Sequence, residues 1–394
     1  MRSTERSRII FAVILLLFSV SIKGSPEFPI TTDPSSQTSA AIYKDIVVWT
    51  DYRNGSTDIY GFNLSEREEF SIATGPSKQV SPAIYEDIVI WQDSRNGNWD
   101  IYGYNLSTQE EFQITKDEND QEWPEIYEDV VVWQDSRNGN WDIYGYNLST
   151  QKEFQITTNP EDQYTPAIYG DFVVWVDERN CPTDIYGLNL SEREEFQVTA
   201  DSVSQQRVAL YSTIAVYESI GSGHGSVCFY NLTTGEEFQV TADPSGVLPA
   251  HFCPEIYENI IAWRDYRNDK YSGDIYGLNF ATTQEFTITA PGIQAGPKIY
   301  GDVIVWTDYR NNNYDIYGCY LSSLTWSPCA PPPSEPLPFE EPPDVSYSVE
   351  SVRELFTTIL IVILVLILAV AVVILLWIKR EEEKLPLTGP GEKK

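Results

Sequence analysis

The chain is 394 residues long, enough for two or three ordinary domains, and 42% hydrophobic with 13% aromatic residues provides a large core and excludes wholesale disorder. Its 26 Lys and Arg stand against 58 Asp and Glu, a formal net charge of −32, which argues against nucleic acid or an anionic bilayer as an electrostatic partner. Two His, five Cys and one Met leave little for a His-rich metal centre, so no metal or cofactor is expected and any chemistry falls to carboxylates, Tyr and Arg.

The N-terminus places Arg2, Arg6 and Arg8 before an apolar run from Ile9 to Val20, followed by small residues at Ser19, Ser21 and Gly24. That order predicts an export signal over residues 1–24, since about twelve apolar residues are too few to cross a hydrocarbon core of roughly 30 Å. The mature chain would then begin with Glu27-Phe28-Pro29-Ile30-Thr31.

From there the sequence is periodic. Trp49, Trp91, Trp133, Trp175, Tyr217, Trp263 and Trp306 recur at spacings of 42, 42, 42, 42, 46 and 43. Each unit reads as four short strands: an I-Y strand, a V-V-W strand, a hairpin into D-I-Y-G-x-N-L, and an E-F-x-I-T strand. Four strands in about 42 residues make one propeller blade, and the consecutive apolar residues of V-V-W suit a sheet covered on both faces. The last unit lacks its own E-F-x-I-T strand, while the mature N-terminus carries one ahead of any first strand. The expectation is an all-β, seven-bladed β-propeller over residues 25–327, closed by its N-terminal strand.

Through D-I-Y-G-x-N-L-S and E-F-Q-I-T, over about residues 27 to 321, the repeat resembles TolB-type β-propeller repeats, and more closely the tandem 42-residue version of methanogenic archaeal surface proteins. The resemblance implies a propeller fold and a surface location, and no defined reaction. Blade five departs from it: Glu218 to Ser226, with Gly221 to Gly225 glycine-rich, replaces the D-x-R-N turn of the other six, through drift or as a specialised site.

Ala330 to Pro338 is Pro-rich and predicts an extended stalk over residues 328–354. Residues 355–378 follow as a membrane-spanning helix, with 23 uncharged residues from Phe356 to Ile378. Lys379, Arg380 and Lys384 after the segment, against Glu340, Glu341, Asp344, Glu350 and Glu354 before it, place the tail of residues 379–394 in the cytoplasm and the propeller outside. The LPxTG-like stretch Leu385 to Gly389 lies on the wrong side of that segment for cell-wall sorting.

The most repeated polar feature is D-x-R-N-x-x-x-D, as in Asp51/Arg53/Asp58 and Asp135/Arg137/Asp142. A two-residue Asn54-Gly55 turn would oppose Asp51 and Asp58 across the hairpin, a like-charge pair that Arg53 bridging both carboxylates, or a bound calcium ion, would neutralise. N-x-[ST] occurs at Asn54, Asn63, Asn105, Asn147, Asn189 and Asn231, candidate glycosylation sites in an exported chain. Cys319 and Cys329 are spaced to close a disulfide loop, and Cys228 with Cys253 is a second candidate pair. Tyr52, Trp99, Trp141 and Tyr314 supply aromatic area for a loop binding face, or pack on the next blade.

These features predict a non-enzymatic, membrane-anchored cell-surface propeller that organises the envelope, adheres, or binds envelope proteins or surface polysaccharide. The alternative is an extracellular carbohydrate-active enzyme, polysaccharide lyase-like, using His224, His251 and rim carboxylates at the divergent fifth blade.

Overall fold

The computed structural model describes residues 27–221, 224–241, 251–268 and 272–328, and within them the chain is a seven-bladed β-propeller. Blade one has strands Gln37–Tyr43, Ile46–Asp51, Asp58–Asn63 and Glu68–Ala73, and every blade repeats this antiparallel meander from the inner strand outwards. The predicted signal, the stalk beyond Pro328, the membrane segment and the tail lie outside the described residues. Among the described residues no helix is long and apolar enough to cross a membrane.

The second strand sets the core. Val47, Val48 and Trp49, and their equivalents in each repeat, are fully buried at consecutive positions, as a sheet sandwiched between two others requires. Trp49 packs towards blade seven and Val48 towards blade two, so successive residues serve opposite interfaces. Seven such interfaces form seven hydrophobic clusters, one between each neighbouring pair of blades.

The glycine of D-I-Y-G has a specific cause. Gly103 pairs with Phe112 of the outer strand, whose ring lies over it so closely that an added Cβ would sit 2.5 Å from Phe112 Cζ. The same Gly–Phe pairing recurs in blade seven as Gly318 with Phe28, which comes from the other end of the chain.

Glu27–Pro29 pairs antiparallel with Asp315–Tyr320, filling the outer place of blade seven as the sequence predicted. Ile30 then enters the cluster between blades seven and one, at the position Ile72 holds between blades one and two. Blade six carries an addition the repeat did not foretell. Ser327–Pro328 pairs with its outer strand Gln284–Ile288, and Trp326 stacks edge-on against Phe286 at 4.9 Å.

Blade five is also rebuilt. Its second and third strands lengthen to Ile214–Gly221 and His224–Asn231 and pair as far as Gly221 with His224, so the hairpin extends where other blades have a polar loop.

If the N-terminal strand closes the ring in solution, Ile30→Ala should destabilise the protein by roughly 2–4 kcal/mol, about as much as Ile72→Ala. Chemical denaturation of both variants checks this; a silent Ile30→Ala beside a costly Ile72→Ala would show an open ring.

Candidate binding channel

The repeated D-x-R-N segment folds into a staple. Asp51 and Asp58 face each other as a cross-strand pair, and both are fully buried. The Trp49 indole N–H donates to Asp51 Oδ2 at 2.9 Å, the Arg53 backbone N–H to Oδ1 at 2.9 Å, and the Arg53 guanidinium grips both oxygens at 2.9 and 2.6 Å. The fork continues to Glu69 of the outer strand at 2.5 Å and lies over the Tyr60 ring at 4.1 Å. Asp58 is held instead by Asn54 Nδ2 at 2.7 Å.

This corrects the expected Asp–Arg–Asp bridge: the second carboxylate of Arg53 is Glu69, and Asn54 takes the second Asp. The turn differs as well. Ser94 and Gly97 close it through a 3.2 Å backbone hydrogen bond, so Arg95 and Asn96 are its centre and Gly97, at φ +99°, follows. Blades two, three and four repeat the staple, with Arg to outer-strand Glu at 2.5 Å each time, and in blade seven Arg310 reaches Glu27 at 2.6 Å. Burial works to raise the Asp93 carboxyl, but the Arg95 and Trp91 hydrogen bonds outweigh it and leave it below its ordinary value. Burial drives Asp100, opposite, upwards, with the Asp93 charge adding to it. In blade five Tyr217 replaces Trp and its hydroxyl donates directly to Glu237, so the outer strand is reached without an Arg.

The other predicted site residues scatter. Asn63, Asn105, Asn147, Asn189 and Asn231 all stand at third-to-fourth-strand turns, whereas Asn54 spends its amide nitrogen on Asp58 and Tyr60. Cys319 is buried, and Cys329 lies outside the described residues. Cys228 and Cys253 are both free thiols, which corrects their proposed pairing: Cys228 belongs to the core between blades four and five, while Cys253 meets Arg207 Nη1 at 3.0 Å. Tyr52 is exposed; Trp99, Trp141 and Tyr314 are half-buried, and the Trp99 and Trp141 carbonyls accept backbone bonds from the next blade. His224 and His251 open strands of different blades, and their side chains are outside the description. Among the described residues no three His, Cys, Asp or Glu side chains gather as metal ligands. A groove of about 860 Å³ between blades three and four, lined by Asn147, Phe154, Leu188 and Arg193, adjoins two of the sequon turns.

The convergent groups lie on the inner strands, which the sequence reading did not single out. Each inner strand ends in a Tyr, and Tyr43, Tyr85, Tyr127, Tyr169, Tyr211, Tyr257 and Tyr300 form a closed circle with neighbouring ring centroids 4.3–5.0 Å apart. A heptagon of that edge has a radius of about 5.5 Å to the ring centroids, and the rings themselves narrow the opening further. Burial, the charge and hydroxyl of Tyr300 and the charge of Glu258 push the Tyr257 phenol up to about 12. The tyrosines floor one end of the central channel.

Towards the other end every inner strand bulges at a residue of positive φ: Ser39, Ser81, Trp123, Thr165, Arg207, Cys253 and Gly296. The preceding blade caps the freed N–H. Gln92 Oε1 accepts from Trp123 N and Gln134 Oε1 from Thr165 N, each at 3.1 Å, and Glu218 Oε1 accepts from Cys253 N at 2.5 Å. Glu218 is thus a carboxylate, 1% exposed, where two other blades use a neutral amide. Burial raises it to about 7 against the Cys253 amide and the Arg207 charge, whose Nε lies 3.6 Å away. Further down, Lys298 Nζ pairs with Glu255 Oε2 at 2.5 Å, and burial raises Glu125 to about 7.

No protein-family model and no curated protein matches the sequence. Solved structures do resemble the fold. An oligogalacturonate lyase from Vibrio parahaemolyticus aligns at 13% identity over 75% of this chain and 93% of its own, TM-score 0.57. The β-propeller domain of the Trilobed protease from Pyrococcus furiosus aligns at 13% identity over 73% and 94%, TM-score 0.59. Puromycin hydrolase aligns at 10% identity over 77% of this chain and 55% of its own, TM-score 0.59. The Pyrococcus domain is described as having an open velcro topology, whereas here the N-terminal strand closes the ring. At these identities the shared property is the propeller.

Two outcomes follow. Arg137→Ala strands the buried Asp135 carboxylate and should cost about 3–5 kcal/mol in denaturant titration; a loss under 1 kcal/mol would remove the staple from the fold's essentials. Glu218 protonates more readily folded than unfolded, so its contribution falls as pH rises from about 4.5 to about 7. Glu218→Gln should therefore raise stability by ~1–3 kcal/mol at pH 8 and leave it unchanged at pH 4; thermal melts at the two pH values read the difference.

Proposed function

We propose that this chain is a non-enzymatic propeller displayed outside the cell membrane, anchored by residues 355–378, that binds a partner through the open end of its channel. The observation that carries the binding reading is how the repeated carboxylates are used. Asp51, Asp93, Asp135, Asp177, Asp265 and Asp308 are each engaged by an Arg fork and a Trp indole, so the most abundant polar constellation is committed to holding hairpins. What stands apart from the repeat is the inner-strand set of Trp123, Glu125, Arg207, Cys253, Glu255 and Lys298, around the axis, with Glu218 of the neighbouring second strand capping Cys253.

The arrangement of the two ends supports the display reading. The five turn sequons lie on the tyrosine-ring face, and the last described residue, Pro328, pairs with Gln284 at the start of the outer strand, on that same face. Glycans there would leave the channel mouth clear. The archaeal surface-protein affiliation suggested by the repeat, and envelope proteins or surface polysaccharide as partners, belong to this proposal.

The full chain, epitope-tagged after Lys394, tests it. It should sediment with membranes through alkaline carbonate, keep its tag hidden on intact cells, and show saturable retention on envelope material or one polysaccharide of a panel without released product. Recovery in the soluble cytoplasmic fraction would overturn the display reading, and catalytic turnover of a polysaccharide would overturn the binding reading.

A further inference from the structure

Two residues before each tyrosine of the floor, the inner strands carry Ala41, Ala83, Ala167 and Ala209 in four blades, and Glu125, Glu255 and Lys298 in the other three. Because the tyrosines share one level of the axis, these seven positions share the next level above it. Lys298 is committed to Glu255 at 2.5 Å. Glu125, three blades away across the channel, makes no ion pair among the described residues, although the Lys298 and Glu255 charges both act on it. Two residues before Glu125 on the same strand, Trp123 is 53% exposed and held at φ +54°. One strand therefore carries an exposed indole, a carboxylate and a phenol of the floor at alternate positions, whereas the alanines that replace the carboxylate in four blades pack into the clusters between blades.

We propose that the channel receives a primary alkylammonium group, entering past Trp123 and pairing with Glu125, with the tyrosine ring as the floor that stops it. Three features select this chemistry. The Glu125–Lys298–Glu255 set carries a net negative charge whose only cation is already paired. The exposed Trp123 indole favours an ammonium over a neutral group. A formal charge of −32 on the chain attracts cations from solution, and the closed circle of seven tyrosines narrows the far end. Burial, opposed by Lys298 and reinforced by Glu255, brings Glu125 to about 7, so the site gains its charge as pH rises through neutrality.

This inference rests on reading the propeller as a binding module. The test is calorimetric titration of the detergent-solubilised full chain with 1,4-diaminobutane, using 1,4-butanediol as the uncharged control. Binding of the diamine alone is expected. Its affinity should rise several-fold from pH 6 to pH 8, where the amine stays protonated, and fall ~10-fold or more in Glu125→Gln and by a smaller factor in Trp123→Ala. The Glu125→Gln protein should melt no lower than wild type, which separates lost binding from lost folding. Equal affinity in wild type and Glu125→Gln, equal binding of the diol, or displacement by calcium at equimolar concentration would overturn the proposal. Conversion of the diamine to product would instead overturn the binding-module reading beneath it.

Discussion

A carboxylate taken out of water must be matched in place, and in six of its seven blades this propeller takes out the Asp that ends the second strand. The Asp that ends the second strand has no exposure, so the residues around it are chosen by its four or more acceptor sites. Trp two residues earlier points to the same side of the strand and donates from its indole. Arg two residues later donates from backbone and fork. The fork requires a second acid, which the outer strand provides, and a flat surface, which the third-strand Tyr provides. Loop geometry, hairpin register and outer-strand docking are therefore consequences of one buried charge.

The same logic explains ring closure. The N-terminal strand brings Phe28 over Gly318, Ile30 into the core between blades seven and one, and Glu27 to the Arg310 fork. Apolar burial alone would accept many strands; the Glu–Arg contact fixes which strand and which register. A slip of one residue would turn Phe28 off its glycine and carry Glu27 away from the fork.

Much of this could be read from the chain, because a repeat prints its periodicity several times over. Four strands per unit, seven units and the displaced seventh outer strand all followed from the recurrence of E-F-x-I-T. The facing of the two Asp was legible too, although the two-residue Asn–Gly turn it was counted from is not the turn that forms. The identity of the Arg partner was not: Arg53 and Glu69 are sixteen residues apart, and only the fold of the third and fourth strands brings them together. The tyrosine circle escaped for a related reason. I-Y reads as the end of an ordinary strand, and nothing local says that seven such ends meet on an axis. The added strand at Ser327–Pro328 contains one Pro and two residues, too short to carry a pattern.

Function in such a molecule resides where the repetition breaks, because a feature present in every blade is fixed by what every blade needs. The second and third strands vary little among six blades, and blade five, which abandons the staple, rebuilds the link to its outer strand through Tyr217. The inner strands vary most, at the bulge, at the residue before it, and at the position two residues before the ring of phenols. Placing Glu218 where a neutral amide serves elsewhere, and Glu125 where alanine serves elsewhere, costs stability at neutral pH in both cases. Neither charge is required by the fold, since the amide and the alanine occupy the same places in sister blades. A cost borne by Glu125 at the axis of an otherwise self-satisfied ring is what the proposed alkylammonium ligand would offset.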